Sequence, residues 1–166
     1  MTVQLHGASA SVHDHVAQAD GDFDGACEAI RTGDAVDVVT AVTRANVRNL
    51  AALAQWLIAP EQRPHLASWT MLWPPPQPVG LAIPRLGMVA PRVLHAAALA
   101  RRAGLVVKTR GLPPCVLGPH VQHSVRDTVM DFAEPCIACA ARGRCDGVPR
   151  AYIDAFAADL ELRALR

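Results

Sequence analysis

The stretch that decides the fold runs from Ala35 to Trp73. It opens with AVDVVTAV (residues 35–42), continues through NVRNLAALAQWLI (46–58) and ends in SWTMLW (68–73). The first block is a near-continuous β-branched run, the pattern of a strand covered on both faces. The second puts Val47, Leu50, Ala51, Ala54, Leu57 and Ile58 at helical spacing, with Asn46 placed to cap it and Pro60 and Pro64 to close it. The third is again strand-like and stops at Pro74-Pro75-Pro76. Strand, helix and strand in this order predict a right-handed crossover between parallel neighbours.

The same alternation extends in both directions. Upstream, Thr2 to His6 alternates as a strand and stops at Gly7; a polar loop follows from Ser9 to Asp24, then a short helix around Gly25 to Arg31 and a turn at Gly33-Asp34. Downstream, residues 74–90 form a long Pro/Gly-punctuated loop, with Pro74 to Pro78 read as a rigid segment and not as a polyproline docking motif. Pro91 is placed to open a helix and Gly104 to end it, with Leu94, Ala97 and Ala98 as its buried stripe, and Leu105 to Thr109 is the next strand. A last amphipathic helix is predicted from near Pro149, with Ile153, Phe156, Ala157, Leu160 and Ala164 on one face. The fold class is therefore α/β: a partial parallel (β/α) barrel over residues 1–110, then a Cys-rich C-terminal extension with a terminal helix over 111–166. The strand at Thr2 has no upstream neighbour, so its outer edge is expected to need cover.

Composition excludes several classes. At 51% apolar and 19% charged residues the 166-residue chain is globular and not disordered. The net charge is +1 and no Lys/Arg run exceeds Arg101-Arg102, so no nucleic-acid partner is expected. Nothing reaches the roughly 18 apolar residues of a membrane span, and the N-terminus lacks the basic and apolar regions of a signal peptide. A soluble, cytoplasmic protein is expected.

The five cysteines carry the strongest chemical signal. An odd number, with Cys136, Cys139 and Cys145 close together, argues for metal and against a secreted disulfide framework. Cys136-x2-Cys139 lets two thiolates converge from a tight turn, Gly143 is expected to free the backbone for the third, and Cys115 is the fourth. His120 and His123 are alternative fourth ligands. Four thiolates fit a 4Fe–4S cluster or a structural zinc ion. Arg142 and Arg144 either help to hold thiolates or are solvated loop charges; Cys27 reads as core. At the C-terminal ends of strands, where an α/β barrel gathers its ligands, stand Gln4, Asn46 and Trp73. For Asn46, capping and ligand contact are compatible. His6, His13 and His15 are read as loop residues, with an orienting hydrogen bond at His13-Asp14 and no histidine metal site.

Several segments, in order, resemble the radical S-adenosylmethionine (SAM) superfamily. Val3-Gln4-Leu5-His6-Gly7, His13-Asp14 and Gly21-Asp22-Phe23 resemble the fourth strand of that barrel and its following loop, and Val38 to Asn46 the fifth strand and its Asn-bearing exit. Leu112-Pro113-Pro114-Cys115 with Cys136, Cys139, Cys145 and Gly147-Val148 resembles the auxiliary-cluster tail known as SPASM or Twitch. The resemblance implies SAM contacts at Gln4 and Asn46 and an auxiliary 4Fe–4S cluster on the four cysteines. Pro149 stands where a further SPASM cysteine would follow, which implies one cluster and not two. The Cys-x3-Cys-x2-Cys loop of the catalytic cluster is absent from this sequence. The chain is therefore expected not to be catalytic by itself. It would be a truncated or split radical SAM enzyme, with a second polypeptide completing the barrel and a peptide or small molecule as substrate. The alternative is a non-catalytic iron–sulfur or zinc scaffold.

Overall fold

The computed structural model describes residues 1–74, 83–126, 129–156 and 161–165. Among these, strands β1 (Thr2–Gln4), β2 (Val36–Ala41), β3 (Leu66–Leu72), β4 (Val106–Arg110) and β5 (Ser124–Val125) form one sheet in sequential order, every pair parallel. Helices α1 (Ala10–Ala17) and α2 (Asp22–Thr32) join β1 to β2, and α3 (Leu50–Leu57) joins β2 to β3. Helix α4 (Leu86–Arg102) precedes β4, and the short α5 (Pro114–Leu117) follows it. Helix α6 (Arg150–Phe156) comes last. The expected α/β class holds: parallel strands in sequential order, with helices between them packed into one core, are consistent with a barrel segment.

The two faces of the sheet differ accordingly. Register sets Val3, Val38, Trp69 and Val107 side by side, all buried. One residue further on, Gln4, Val39, Thr70 and Lys108 form the matching row on the other face, where Gln4 and Lys108 are exposed and the other two half-buried. The expectation that residues 35–42 are covered on both faces is therefore corrected. The β-branched run reflects strand propensity as much as burial, since Asp37 within it is exposed. On the covered face Trp69 Nε1 donates to Thr40 Oγ1 (2.8 Å), which donates to the Leu5 carbonyl (2.6 Å), whereas the buried Thr109 Oγ1 has no hydrogen-bond partner among the described residues.

Three element boundaries depart from the sequence reading. The polar loop at Ser9–Asp24 contains α1, which buries only His13 and Val16 and so leaves almost no apolar stripe to read. Asp14 holds it to the next helix by accepting the backbone N–H groups of Gly21 and Phe23, each at 2.9 Å. Helix α4 begins at Leu86, with Pro91 inside it. The buried row Leu86, Val89, Ala90 and Val93 continues upstream of the proline, and that burial offsets the lost backbone bond. The last helix is described over Arg150–Phe156, and residues 161–165 are not helical, so Ala164 does not share its face; Ala157 and Leu160 lie outside the described residues. The buried member of α6 is Tyr152. Residues of both predicted segments, among them Leu57, Trp73, Leu117, Val148 and Tyr152, share one hydrophobic core.

Beyond the end of β1, His6 joins the first two strand exits. Its Nδ1 accepts the Ala41 N–H (3.2 Å), and its own N–H donates to His13 Nδ1 (3.0 Å). The two rings stack with centroids 5.4 Å apart, and His13 Nε2 reaches Asp22 (3.2 Å). With both Nδ1 atoms accepting, both rings are assigned as Nε2–H tautomers. Burial first, and the neighbouring His13 second, push the His6 pKa down to about 4, Asp22 opposing. The folded state thus favours neutral His6. Its stabilising contribution is complete above pH 6.5, drains away as pH falls from there to about 4, and then levels off. The expected loss over that window is about 3 kcal/mol. Urea melts at pH 7 and pH 4.5 measure it, and His6→Gln should flatten the difference; an equally steep acid loss in the variant would assign it elsewhere.

Candidate metal centre

The turn out of β4 sets the first cysteine. Gly111 has φ +79°, and a Cβ there would lie 1.7 Å from the Trp73 carbonyl oxygen, so glycine is required where β4 leaves β3. The chain then enters α5, which carries Cys115. Cys136 closes a 3-10 turn at Glu134–Cys136, Cys139 follows it, and Cys145 comes directly after a second turn at Arg142–Arg144. All four of these cysteines line one pocket that opens to solvent, with Leu162 and Arg163 in its wall. Cys27 is elsewhere, buried in the core under the sheet.

Backbone amides point at the sulfurs. Gly147 N–H donates to Cys145 Sγ and Leu165 N–H to Cys139 Sγ, each at 3.3 Å, and the Arg163 N–H bonds Cys115. Burial is the main influence on Cys115 and Cys145 and pushes both thiols up; these amides pull down, and neighbouring pocket thiols push up again. Without a metal both are held as thiols at neutral pH. A metal must displace their protons, after which the same amides serve the thiolates.

The glycine that shapes this site is Gly147 and not Gly143. Gly147 has φ +80°, and a Cβ there would lie 2.2 Å from the Asp131 carbonyl oxygen, whereas one on Gly143 would meet nothing within 4 Å. The tight approach follows from the pairing of Asp131 with Val148 in both directions (3.1 and 2.9 Å). Arg142 lies over the Phe132 ring (5.0 Å) and lines the pocket, while Arg144 is exposed. His120 and His123 lie on the 3-10 segment Gly118–His123 and are not among the described residues lining the pocket.

Among the described residues, no three His, Cys, Asp or Glu side chains are grouped closely enough to hold a single metal ion. A tetrahedral zinc with sulfurs at about 2.3 Å brings its ligands to within roughly 4 Å of one another. A four-iron cluster separates them further, because each thiolate binds a different iron. The all-sulfur donor set facing one pocket suits the chemistry of either group.

The sequence-derived SAM contacts are placed differently. Gln4 is exposed on the open face of the sheet. Asn46 is fully buried and its amide is saturated within the chain: Nδ2 donates to the carbonyls of His6 (2.9 Å) and Ala41 (2.8 Å), and Oδ1 accepts from Thr43 N–H (2.8 Å) and Oγ1 (3.2 Å). It makes no side-chain helix cap, because the amide faces back to the strand ends. Trp73 is core, edge-on to Tyr152 at 5.2 Å, with its Nε1 donating to the Pro84 carbonyl.

Two residues outside the pocket lining, Tyr152 and Glu161, escaped sequence reasoning. Tyr152 Oη accepts the Leu86 N–H (3.1 Å) and donates to Glu161 Oε2 (3.4 Å), and Glu161 also accepts the Gly87 N–H (2.6 Å). Neither stands in a motif; the one available signal was that Tyr152 is the chain's only tyrosine. No described helix is long and apolar enough to cross a membrane. Comparison with protein-family models, curated proteins and solved structures gives no match.

Proposed function

We propose that this chain is a radical SAM-like iron–sulfur protein that holds one auxiliary 4Fe–4S cluster through Cys115, Cys136, Cys139 and Cys145. The observation that carries this reading is that these four cysteines, and not Cys27, line one pocket. When bound, such a cluster stores one electron at a potential set by its burial and by hydrogen bonds to its sulfurs. The chain's own part is to supply four thiolates and three backbone donors, and to place them beyond the C-terminal end of β4, on the side where barrels bind ligands. The resemblance carries the rest of the proposal: a split or truncated cytoplasmic enzyme acting on a peptide or small molecule, with SAM bound near Gln4 and Asn46. A second polypeptide would complete the barrel along the outer edge of β1.

Anaerobic reconstitution with iron and sulfide tests the reading. The expected product is brown, with about four iron and four sulfide per chain, and forms no 5′-deoxyadenosine from SAM under strong reductant. Colourless protein would sink the cluster; a single zinc ion bound in its place would support the scaffold alternative. One observation favours a non-catalytic scaffold as the second reading. The amide of Asn46 is spent on the strand ends and has no remaining hydrogen for a ligand.

A further inference from the structure

Resting on the cluster reading, we infer that Glu161–Leu165 is a clamp on the metal site, latched at one end by a carboxylate and gripping the sulfurs by backbone amides at the other. At the latch, Glu161 Oε2 takes the Gly87 N–H at 2.6 Å and the Tyr152 hydroxyl at 3.4 Å. Gly87 lies in the first turn of α4, where the helix dipole favours a carboxylate. A Cβ at position 87 would fall on that carboxylate and would have to displace it. Next in the chain, Leu162 is buried in the common core and forms part of the pocket wall. Arg163 N–H then bonds the sulfur of Cys115, and Leu165 N–H that of Cys139. The Leu165 carbonyl accepts the Ala140 N–H at 2.9 Å, so the grip on the Cys139 turn is two-sided.

Five consecutive residues thus join the start of a barrel helix to two of the four ligands. None of them donates a metal-binding atom in this arrangement. Their contribution is orientation and charge: an amide hydrogen on a thiolate stabilises its negative charge, and so favours metal binding over reprotonation and the reduced over the oxidised cluster. Releasing the latch should loosen Cys115 and Cys139 together, although Glu161 touches neither.

The test has one arm that needs no metal. In the reduced, metal-free chain, with rates compared at their alkaline plateau so that they report access and not ionisation, iodoacetamide should alkylate Cys115 and Cys139 several-fold faster in Glu161→Ala than in the unaltered protein, while Cys27 stays protected and reports that the fold is intact. Equal rates overturn the clamp whether or not the chain binds iron. In the reconstituted protein, Glu161→Ala should lose iron to a chelator about tenfold faster, the size expected for loss of an outer-shell support. Leu165→Pro removes one sulfur-directed N–H and should move the reduction potential to a more negative value with Cys27 still protected; an unmoved potential also counts against the clamp. If the unaltered chain takes up no iron, the cluster reading fails and the alkylation rates alone decide the clamp. Should Glu161→Ala expose Cys27, Leu165→Pro supplies the alkylation comparison, with Cys139 as the reporter.

Discussion

Replacing Asn46 by alanine should remove about 4 kcal/mol of stability, equivalent to a fall in Tm of roughly 10 °C for a chain of this size. The side chain is fully buried and makes four hydrogen bonds within the chain. Alanine would leave the carbonyls of His6 and Ala41 and the amide of Thr43 without their buried partner, at about 1–3 kcal/mol for each group that finds no replacement. Asn46→Asp should be no better, since it keeps the acceptor but sets a carboxylate against two carbonyl oxygens that need a donor. Thermal melts of the three proteins at pH 7 decide the matter. A loss below about 1 kcal/mol would mean that water or a shifted loop satisfies the strand ends.

Replacing any one of Cys115, Cys136, Cys139 or Cys145 by serine should abolish or greatly weaken iron retention, with visible absorbance and iron content falling together. Cys27→Ser should leave both unchanged, because Cys27 packs in the core away from the pocket. A hard, weakly acidic hydroxyl is a poor substitute for a thiolate on iron. The comparison separates assembly of the site from general folding, since both types of variant alter buried or half-buried positions. Full iron content in Cys115→Ser, with loss in the other three, would remove Cys115 from the ligand set.

Strands β1 to β4 were legible because they carry short, β-rich runs separated by one strong helical stripe, Leu50 to Leu57, and one long one ending at Arg102, whereas the two-residue β5 carries too short a run to read. Helix α1 was not, since tertiary bonds from Asp14 and His13 hold it where amphipathic burial would usually do so. Pro91 misled for a related reason: a proline usually marks a helix start, but here buried residues on both sides of it keep the helix running. The cysteine spacing singled out residues that the fold does bring around one pocket. It could not indicate the amides of Gly147, Arg163 and Leu165, because a backbone donor has no side-chain signature. Asn46 was noticed for its place at a strand exit, yet sequence could not tell a saturated structural amide from a ligand-binding one.

The unequal faces of the sheet have a consequence for how this sequence can change over time. On the row of Val3, Val38, Trp69 and Val107, substitutions are confined to side chains of similar volume, because packed neighbours allow little else. Gln4 and Lys108, on the opposite side, can be exchanged at a typical cost within ±0.5 kcal/mol. Drift is therefore nearly neutral along one side of the same strands and strongly purged along the other. New recognition properties could accumulate on the permissive side without consuming the stability that the conservative side maintains.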